Sequence, residues 1–184
     1  MAGLIKRAGP VELREPLENG FAALVRSIMY QQLAGAAAAT IHGRFLNLLS
    51  TPLSPAAVLA LPQGAMRSAG VSGSKAAAIT DLAEKVADGS VPLHDVDALS
   101  DDELVARLIQ VRGVGRWTAE MFLIFQLRRL DVWPVDDYGV RKGWALTHKL
   151  TEALKPRVME VEGDRFRPYR SIAAWYCWRA IDTP

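Results

Sequence analysis

Apolar residues at helical spacing restrict the possible folds of this 184-residue sequence more than any other feature. The clearest set recurs at intervals of three and four residues and consists of Phe21, Leu24, Val25 and Ile28. This spacing puts side chains on one face of an α-helix, and alanine-rich segments elsewhere favour helix as well. No segment is convincingly typical of a β-strand. The sequence therefore predicts an all-α protein, and its 50% hydrophobic content is enough to bury a sizeable core.

Cysteine, histidine and charge content exclude several classes of site. Cys177 is the only cysteine and the three histidines are far apart, which argues against disulfides, cysteine-ligated zinc and iron-sulfur clusters. The net charge is only +2, so an anionic partner has to be bound by a local cluster. The N-terminus lacks the apolar core of a signal peptide, and no apolar run is long enough for a membrane span. We expect a cytoplasmic protein with no membrane partner.

Two short segments predict helix starts. Ser54 precedes Pro55, and Ser100 stands three residues before Glu103, the spacing of a capping box. The second helix would end at about Gln110. The glycine-containing segment that follows would then lie between two helices.

That segment contains Gly113 and Gly115, separated by one residue. A dinucleotide-binding loop needs a preceding strand and a third glycine, and a P-loop needs Gly-Lys-Ser/Thr, so neither fits. The pattern favours a tight helix-to-helix turn in which both glycines take positive φ and leave amides exposed at the next helix. Arg112 and Arg116 flank these amides, which suits a backbone phosphate. An ordinary corner with two solvated arginines is an equally good interpretation of this turn alone.

Two adjacent carboxylates, Asp136 and Asp137, follow the apolar residues Trp133 and Val135 at a predicted helix start. A single Asp in such a place is usually an N-cap. Two in succession in an apolar setting make a functional carboxylate a second possibility.

Together these segments resemble the helix-hairpin-helix DNA glycosylase superfamily, and most closely its 3-methyladenine DNA glycosylase II branch. The resemblance covers most of the chain after residue 20, and the segments that carry it are 21–33, 111–119, 134–141 and 168–171.

The resemblance implies two helical lobes with the active site in the cleft between them. One lobe would be residues 21–135, with the hairpin at 111–115, and the other residues 1–20 with 136–184. Longer members carry an N-terminal β-rich domain, whereas 20 residues precede Phe21 here, so the compact form is expected. The iron-sulfur cluster of some members is not expected either, since its cysteines are missing.

The implied activity is that of a monofunctional DNA glycosylase in base excision repair. It would flip out alkylated purines (3-methyladenine, 7-methylguanine and ethenoadenine) and hydrolyse their N-glycosidic bond to leave an abasic site. Asp137 matches the position of the family's catalytic aspartate. If the alignment with the family motif is shifted by one residue, Asp136 matches it instead. Trp117 stands where bifunctional relatives carry a Schiff-base lysine, so no lyase activity is expected. The alternative is a non-catalytic helix-hairpin-helix DNA-binding module.

The resemblance also implies the surrounding site. The base pocket would be lined by Trp117, Trp178, Tyr30 and Phe21. The residue that wedges into DNA would be Gln32, with Leu33 as runner-up. The DNA backbone would be bound by Arg112, Gly113, Gly115, Arg116, Lys75 and Arg141. Lys75 lies in another glycine-bearing turn that is equally well interpreted as a plain connection between helices.

A sodium or potassium ion would bind to the carbonyls of Ile109, Val111 and Val114, and no cofactor is required. The partner would be double-stranded DNA with damaged bases. The protein would act as a monomer, and in a bacterium it would be associated with the nucleoid.

Overall fold

The computed structural model describes residues 2–94 and 96–182, and within these ranges all regular elements are helices. The predicted all-α fold is confirmed. None of the described helices is both long and apolar enough to cross a membrane. In chain order they are α1 (Ala2–Ala8), α2 (Gly20–Tyr30), α3 (Gly35–Leu46), α4 (Pro55–Leu59), α5 (Ala65–Ser68), α6 (Gly73–Ala87), α7 (Asp101–Leu108), α8 (Arg116–Phe125), α9 (Tyr138–His148), α10 (Pro156–Gly163) and α11 (Arg170–Asp182), with 3-10 turns at Val96–Ala98 and Asp164–Phe166.

The chain forms two compact units. We call Pro16–Phe122 the hairpin unit, and Met1–Glu15 together with Leu123–Pro184 the terminal unit. The division into lobes at residue 135, and a shared cleft, stay predictions.

Both predicted helix starts are present. The Ser100 hydroxyl accepts a hydrogen bond from the Glu103 amide at 3.3 Å, and the Glu103 carboxylate accepts one from the Ser100 amide at 2.9 Å. The capping box therefore satisfies two amides that the helix itself leaves without acceptors. At α4 the Ser54 hydroxyl accepts a hydrogen bond from the Ala57 amide at 3.2 Å, without a reciprocal side-chain bond. Helix α7 ends at Leu108, two residues before the predicted end, because the chain then turns into the hairpin.

The hairpin unit has its core between α2, α3, α6 and α7. Among its large buried side chains are those of Leu24, Ile28, Phe45, Ile79, Leu82, Leu104 and Leu108. The apolar spacing of α2 in the sequence thus corresponds to its buried face. Burial of one such side chain stabilises the fold by about 1.5–3 kcal/mol.

The terminal unit is built on the packing of α9 against α11. Gly143 of α9 lies directly against the backbone of Cys177 in α11, where a side chain would overlap the Cys177 carbonyl group. The two helices can therefore approach closely only because residue 143 has no Cβ. Trp133, Val140, Trp144 and Met159 complete this core.

Candidate active site

Asp137 is the residue directly before α9. It lies in extended backbone conformation as the N-cap, and its Oδ1 atom accepts a hydrogen bond from the Val140 amide at 2.7 Å. The same oxygen accepts a second hydrogen bond, at 2.9 Å, from the indole Nε1 of Trp178 in α11. Only 9% of the residue is exposed. The structure thus holds a carboxylate in one orientation by two N–H donors, one from its own helix and one from a neighbouring helix.

The two adjacent carboxylates differ in their surroundings. Asp136 is exposed to solvent, whereas Asp137 is buried and bonded to Trp178. The sequence left open whether either aspartate was a cap or a functional group. The side chain of Asp137 is a cap and is also fixed by a tryptophan, so the geometry favours it over Asp136.

Gly139, in the first turn of α9, makes room for this arrangement. A Cβ at this position would lie 2.8 Å from Cδ1 of Trp178 and 3.0 Å from Oδ1 of Asp137. Both distances are too short for ordinary van der Waals contact. The absence of a side chain at residue 139 therefore lets the indole reach the carboxylate.

Aromatic side chains line the surroundings of Asp137 within the terminal unit. The ring of Phe125 lies 5.5 Å from that of Trp178, and Phe125 remains half-exposed. Tyr138, directly after Asp137, is 64% exposed. Trp178 was predicted as a pocket residue, while Phe125 and Tyr138 were not. For Tyr138 a signal was available, since it immediately follows the candidate carboxylate; the position of Phe125 depends on packing.

The other predicted pocket residues belong to the hairpin unit. Trp117 is 47% exposed in the first turn of α8. Tyr30 ends α2, with its ring in edge contact with His42 and under the guanidinium of Arg26. Phe21 is 5% exposed within the core, which favours a packing role for it over contact with a ligand.

The hairpin at 111–115 is a tight turn between α7 and α8. Gly113 has a φ of +77°, as predicted, whereas Gly115 does not take a positive φ, so that part of the prediction is wrong. A Cβ placed at residue 115 would meet nothing within 4 Å, so the rest of the described chain does not itself require a glycine there. Within the described part of the chain, the amides of Gly113 and Gly115 donate to no acceptor. They remain available to an anion beside the N-terminus of α8.

Asp81 of α6 holds the start of the hairpin. Its Oδ2 atom accepts a hydrogen bond from the Arg112 amide at 2.7 Å, and its Oδ1 atom pairs with Lys85. Burial alone would raise the pKa of Asp81, but the hydrogen bonds from Lys85 and the Arg112 amide outweigh it and hold the pKa below its usual value. This anchor was not found from the sequence.

The predicted backbone-binding cations are in different environments. The side chain of Arg112 is exposed, and the exposed Arg116 pairs with Glu120 at 2.8 Å. Lys75 donates to two main-chain carbonyls in its own unit. Arg141 donates to the Leu154 carbonyl at 3.3 Å in the terminal unit. Arg112 and Arg116 are thus the cations that the hairpin presents to solvent.

The predicted wedge residues follow α2. Gln32 has a φ of +55°, a left-handed conformation that is uncommon for residues other than glycine. Gln32 and Leu33 are both exposed, so either side chain is accessible.

The single cysteine takes no part in this site. Burial raises the pKa of the Cys177 thiol to about 12, so a thiolate nucleophile is disfavoured. Among the residues that the structure describes, no three His, Cys, Asp or Glu side chains are grouped to hold a metal ion.

Comparison with known sequences gives a family match over most of the chain. Residues 25–167 match the model of the HhH-GPD superfamily base excision DNA repair proteins. DNA-3-methyladenine glycosylase 1 of Schizosaccharomyces pombe is 34% identical over 172 residues, which are 92% of this chain and 74% of that protein.

Comparison with solved structures gives similar results. The DNA-3-methyladenine glycosidase of Bacillus halodurans superposes with a TM-score of 0.92 at 33% identity, over 99% of this chain and 84% of that one. The 3-methyladenine DNA glycosylase of S. pombe, solved in complex with abasic DNA, gives a TM-score of 0.80 at 32% identity, over 96% of this chain and 88% of that one.

Proposed function

The chain belongs to the HhH-GPD superfamily of base excision DNA repair proteins, in its 3-methyladenine DNA glycosylase branch, and from this premise we propose that Asp137 is its catalytic carboxylate. The activity is that of a DNA-3-methyladenine glycosylase, which hydrolyses the bond between a damaged base and deoxyribose. The observation that carries the assignment of Asp137 is its burial together with the hydrogen bond from Trp178.

Hydrolysis of the bond between an alkylated purine and deoxyribose requires little more from the protein than one carboxylate. Methylation at N3 of adenine gives the base a positive charge, so the base leaves as a neutral molecule once the electron pair of the C1′–N bond moves onto it. The sugar then has oxocarbenium character, which the negative charge of Asp137 stabilises. A water oxygen bonds to C1′, and Asp137 accepts the proton that this water loses. No general acid is required for the leaving base.

The two donors on Oδ1 prepare Asp137 for this role. Because the Val140 amide and the Trp178 indole already hold the carboxylate in one orientation, the side chain does not need to reorganise during the reaction. A group placed in advance stabilises the transition state more than a mobile one.

Aromatic side chains suit the cationic base. An indole face attracts a cation by roughly 0.5–2 kcal/mol. We propose Trp178, Trp117 and Tyr30 as pocket residues, and we add Phe125 and Tyr138 because of their exposure and their place beside Asp137 and Trp178. Walls of this kind impose no hydrogen-bonding pattern, so we extend the proposed substrates to 7-methylguanine, which is also cationic, and to ethenoadenine, a neutral base that would take up a proton from water as it leaves.

The partner in this proposal is double-stranded DNA, which is supported by the abasic DNA in the related S. pombe structure. The amides of Gly113 and Gly115, with Arg112 and Arg116, would bind its phosphates. Gln32, with Leu33 as runner-up, would fill the gap left by the flipped base, whose removal from the stack costs a few kcal/mol.

A sodium or potassium ion at the hairpin stays part of the proposal. Main-chain oxygens are suitable donors for a hard cation, and those of Ile109, Val111 and Val114 would hold it. The Val111 carbonyl already accepts the Val114 amide at 3.0 Å and has a second lone pair for an ion. The ion would strengthen phosphate binding next to the hairpin.

We expect hydrolysis without strand cleavage, because Trp117 has no amine with which to form a Schiff base. The test is a panel of duplexes, each with one lesion, incubated with the protein and analysed with and without hot alkali. Breakage only after alkali, for the alkylated purines, is the expected result. Breakage without alkali contradicts the monofunctional assignment, and no base release from any duplex contradicts the function itself.

Replacing Gly139 with alanine should lower the rate of base release without unfolding the protein. The new Cβ must displace the Trp178 indole from Asp137, and a displacement of about 1 Å can slow catalysis about 100-fold. We expect a single-turnover rate that is lower by about 10- to 100-fold. Gly43→Ala is the matched control, because its Cβ meets nothing within 4 Å in α3. Equal rates for both variants would show that the Trp178 contact does not matter for catalysis.

A further inference from the structure

The turn that carries the proposed wedge is strained. We call residues 31–33 the wedge turn. Gln32 adopts a φ of +55°, a left-handed backbone conformation that is unfavourable for a residue with a Cβ. A turn of this kind persists only if the surrounding structure holds it.

Lys75 provides part of that support. Its Nζ atom donates to the Met29 carbonyl at 2.7 Å and to the Gln31 carbonyl at 2.8 Å. The last carbonyls of a helix have no partner within the helix, and a cation at that end also interacts favourably with the helix dipole. The ammonium therefore closes the end of α2 and fixes the backbone immediately before Gln32.

The wedge turn is also bonded to the hairpin. The side-chain amide of Gln31 donates to the Gly113 carbonyl at 3.0 Å. The hairpin in turn is bonded to Asp81, which lies on the same helix, α6, as Lys75. These bonds connect three segments of the hairpin unit in a closed set. Lys75 joins α6 to the wedge turn, Gln31 joins the wedge turn to the hairpin, and Asp81 joins the hairpin back to α6.

One side of the wedge turn borders a cavity. A cavity of about 240 Å³ lies there, and its lining includes Gln31, Gln32, Leu33 and Lys75. Because the wedge turn borders open space on that side, its hydrogen bonds to Lys75 and Gly113 help to hold it in position.

We propose that Lys75 is a positioning residue that holds the wedge turn in place relative to the hairpin, rather than a contact to DNA phosphate. This inference rests on the proposed glycosylase function. Lys75 would act by keeping Gln32 in the conformation that enters the duplex while the Gly113 and Gly115 amides hold the backbone. Burial lowers the pKa of the Lys75 ammonium, as is typical of a group turned toward the protein.

The test compares Lys75→Met with Lys155→Met, which removes the same charge from an exposed position. Base flipping is followed by the fluorescence of 2-aminopurine beside the lesion, and chemistry by single-turnover base release. We expect Lys75→Met to lower both the flipping signal and the rate, the latter by about tenfold or more. The control should match the wild type.

Salt dependence separates positioning from phosphate binding. Loss of one phosphate contact lowers the slope of log Kd against log salt concentration by about 0.9. On a duplex with an uncleavable abasic analogue, Lys75→Met should keep the wild-type slope. A slope reduced by that amount, or an unchanged flipping signal and rate, overturns the inference.

A second variant covers the case in which Lys75→Met does not fold. Gln31→Leu removes the bond to Gly113 and leaves Lys75 intact, and it should show the same lower flipping signal with an unchanged salt slope. A wild-type signal in that variant overturns the inference. Failure of the wild type to release any base would contradict the glycosylase function, which is a different outcome.

Discussion

Replacing Asp137 with asparagine is expected to reduce the single-turnover rate of base release by about 100- to 1,000-fold. The amide oxygen of asparagine can still accept the hydrogen bonds from Val140 and Trp178, so the local structure should persist. What disappears is the negative charge that stabilises the oxocarbenium-like sugar and the base that accepts the water proton. Binding to a duplex with an abasic analogue should stay within a few-fold of the wild type.

Asp136→Asn is the control for this experiment. Asp136 has the same charge and is the preceding residue, but it is exposed to solvent. Its replacement should leave the rate of base release near that of the wild type. The assignment of Asp137 fails if Asp137→Asn keeps its turnover, or if Asp136→Asn is the variant that loses it.

Gly143→Ala is expected to cause a large loss of stability in the terminal unit. The added Cβ would overlap the carbonyl carbon and oxygen of Cys177 and lie 2.9 Å from its Cα. These are backbone atoms of α11, so no side-chain rotation can relieve the overlap, and α9 and α11 must move apart. Overpacking usually costs about 1–3 kcal/mol, and we expect a loss of at least the upper value. Small domains have a free energy of unfolding of only about 5–15 kcal/mol.

Urea or thermal unfolding of purified Gly143→Ala measures this loss. Gly43→Ala again serves as the control, and it should be as stable as the wild type or more stable by about 0.5–1 kcal/mol, because alanine favours helix. Since Asp137 caps α9 and Trp178 lies in α11, the folded fraction of Gly143→Ala should also lose activity. An unfolding midpoint equal to that of the wild type would mean that the two helices do not need this close approach.

Local features of the fold were predictable because neighbouring residues cause them. The capping box of Ser100 and Glu103 and the cap at Ser54 each depend on residues within one helical turn. The positive φ of Gly113 follows from the tight turn that the helix spacing requires. Gly115 was predicted to have a positive φ as well, but it does not, and a Cβ there would meet no neighbouring atom.

The candidate site was predictable only in part. The motif around the Asp pair indicated two residues, and burial together with the Trp178 bond distinguishes them. Lys75 was predicted to bind the DNA backbone, with a plain connecting turn as an equally good interpretation, and its ammonium is bonded to carbonyls at the end of α2. Residue type indicates what a side chain can bond with, whereas its partner depends on which chain segments pack beside it.

The sequence by itself determined the helical class, the helix starts, the family resemblance and the segments that carry the site. These follow from periodicity, caps and motifs, which act over a few residues. Only the tertiary structure decided that Trp178 bonds to Asp137 across 41 residues, and that Gln31 bonds to Gly113 across 82. Hydrogen bonds act over about 3 Å, so a bond between distant residues exists only once packing has brought their helices together.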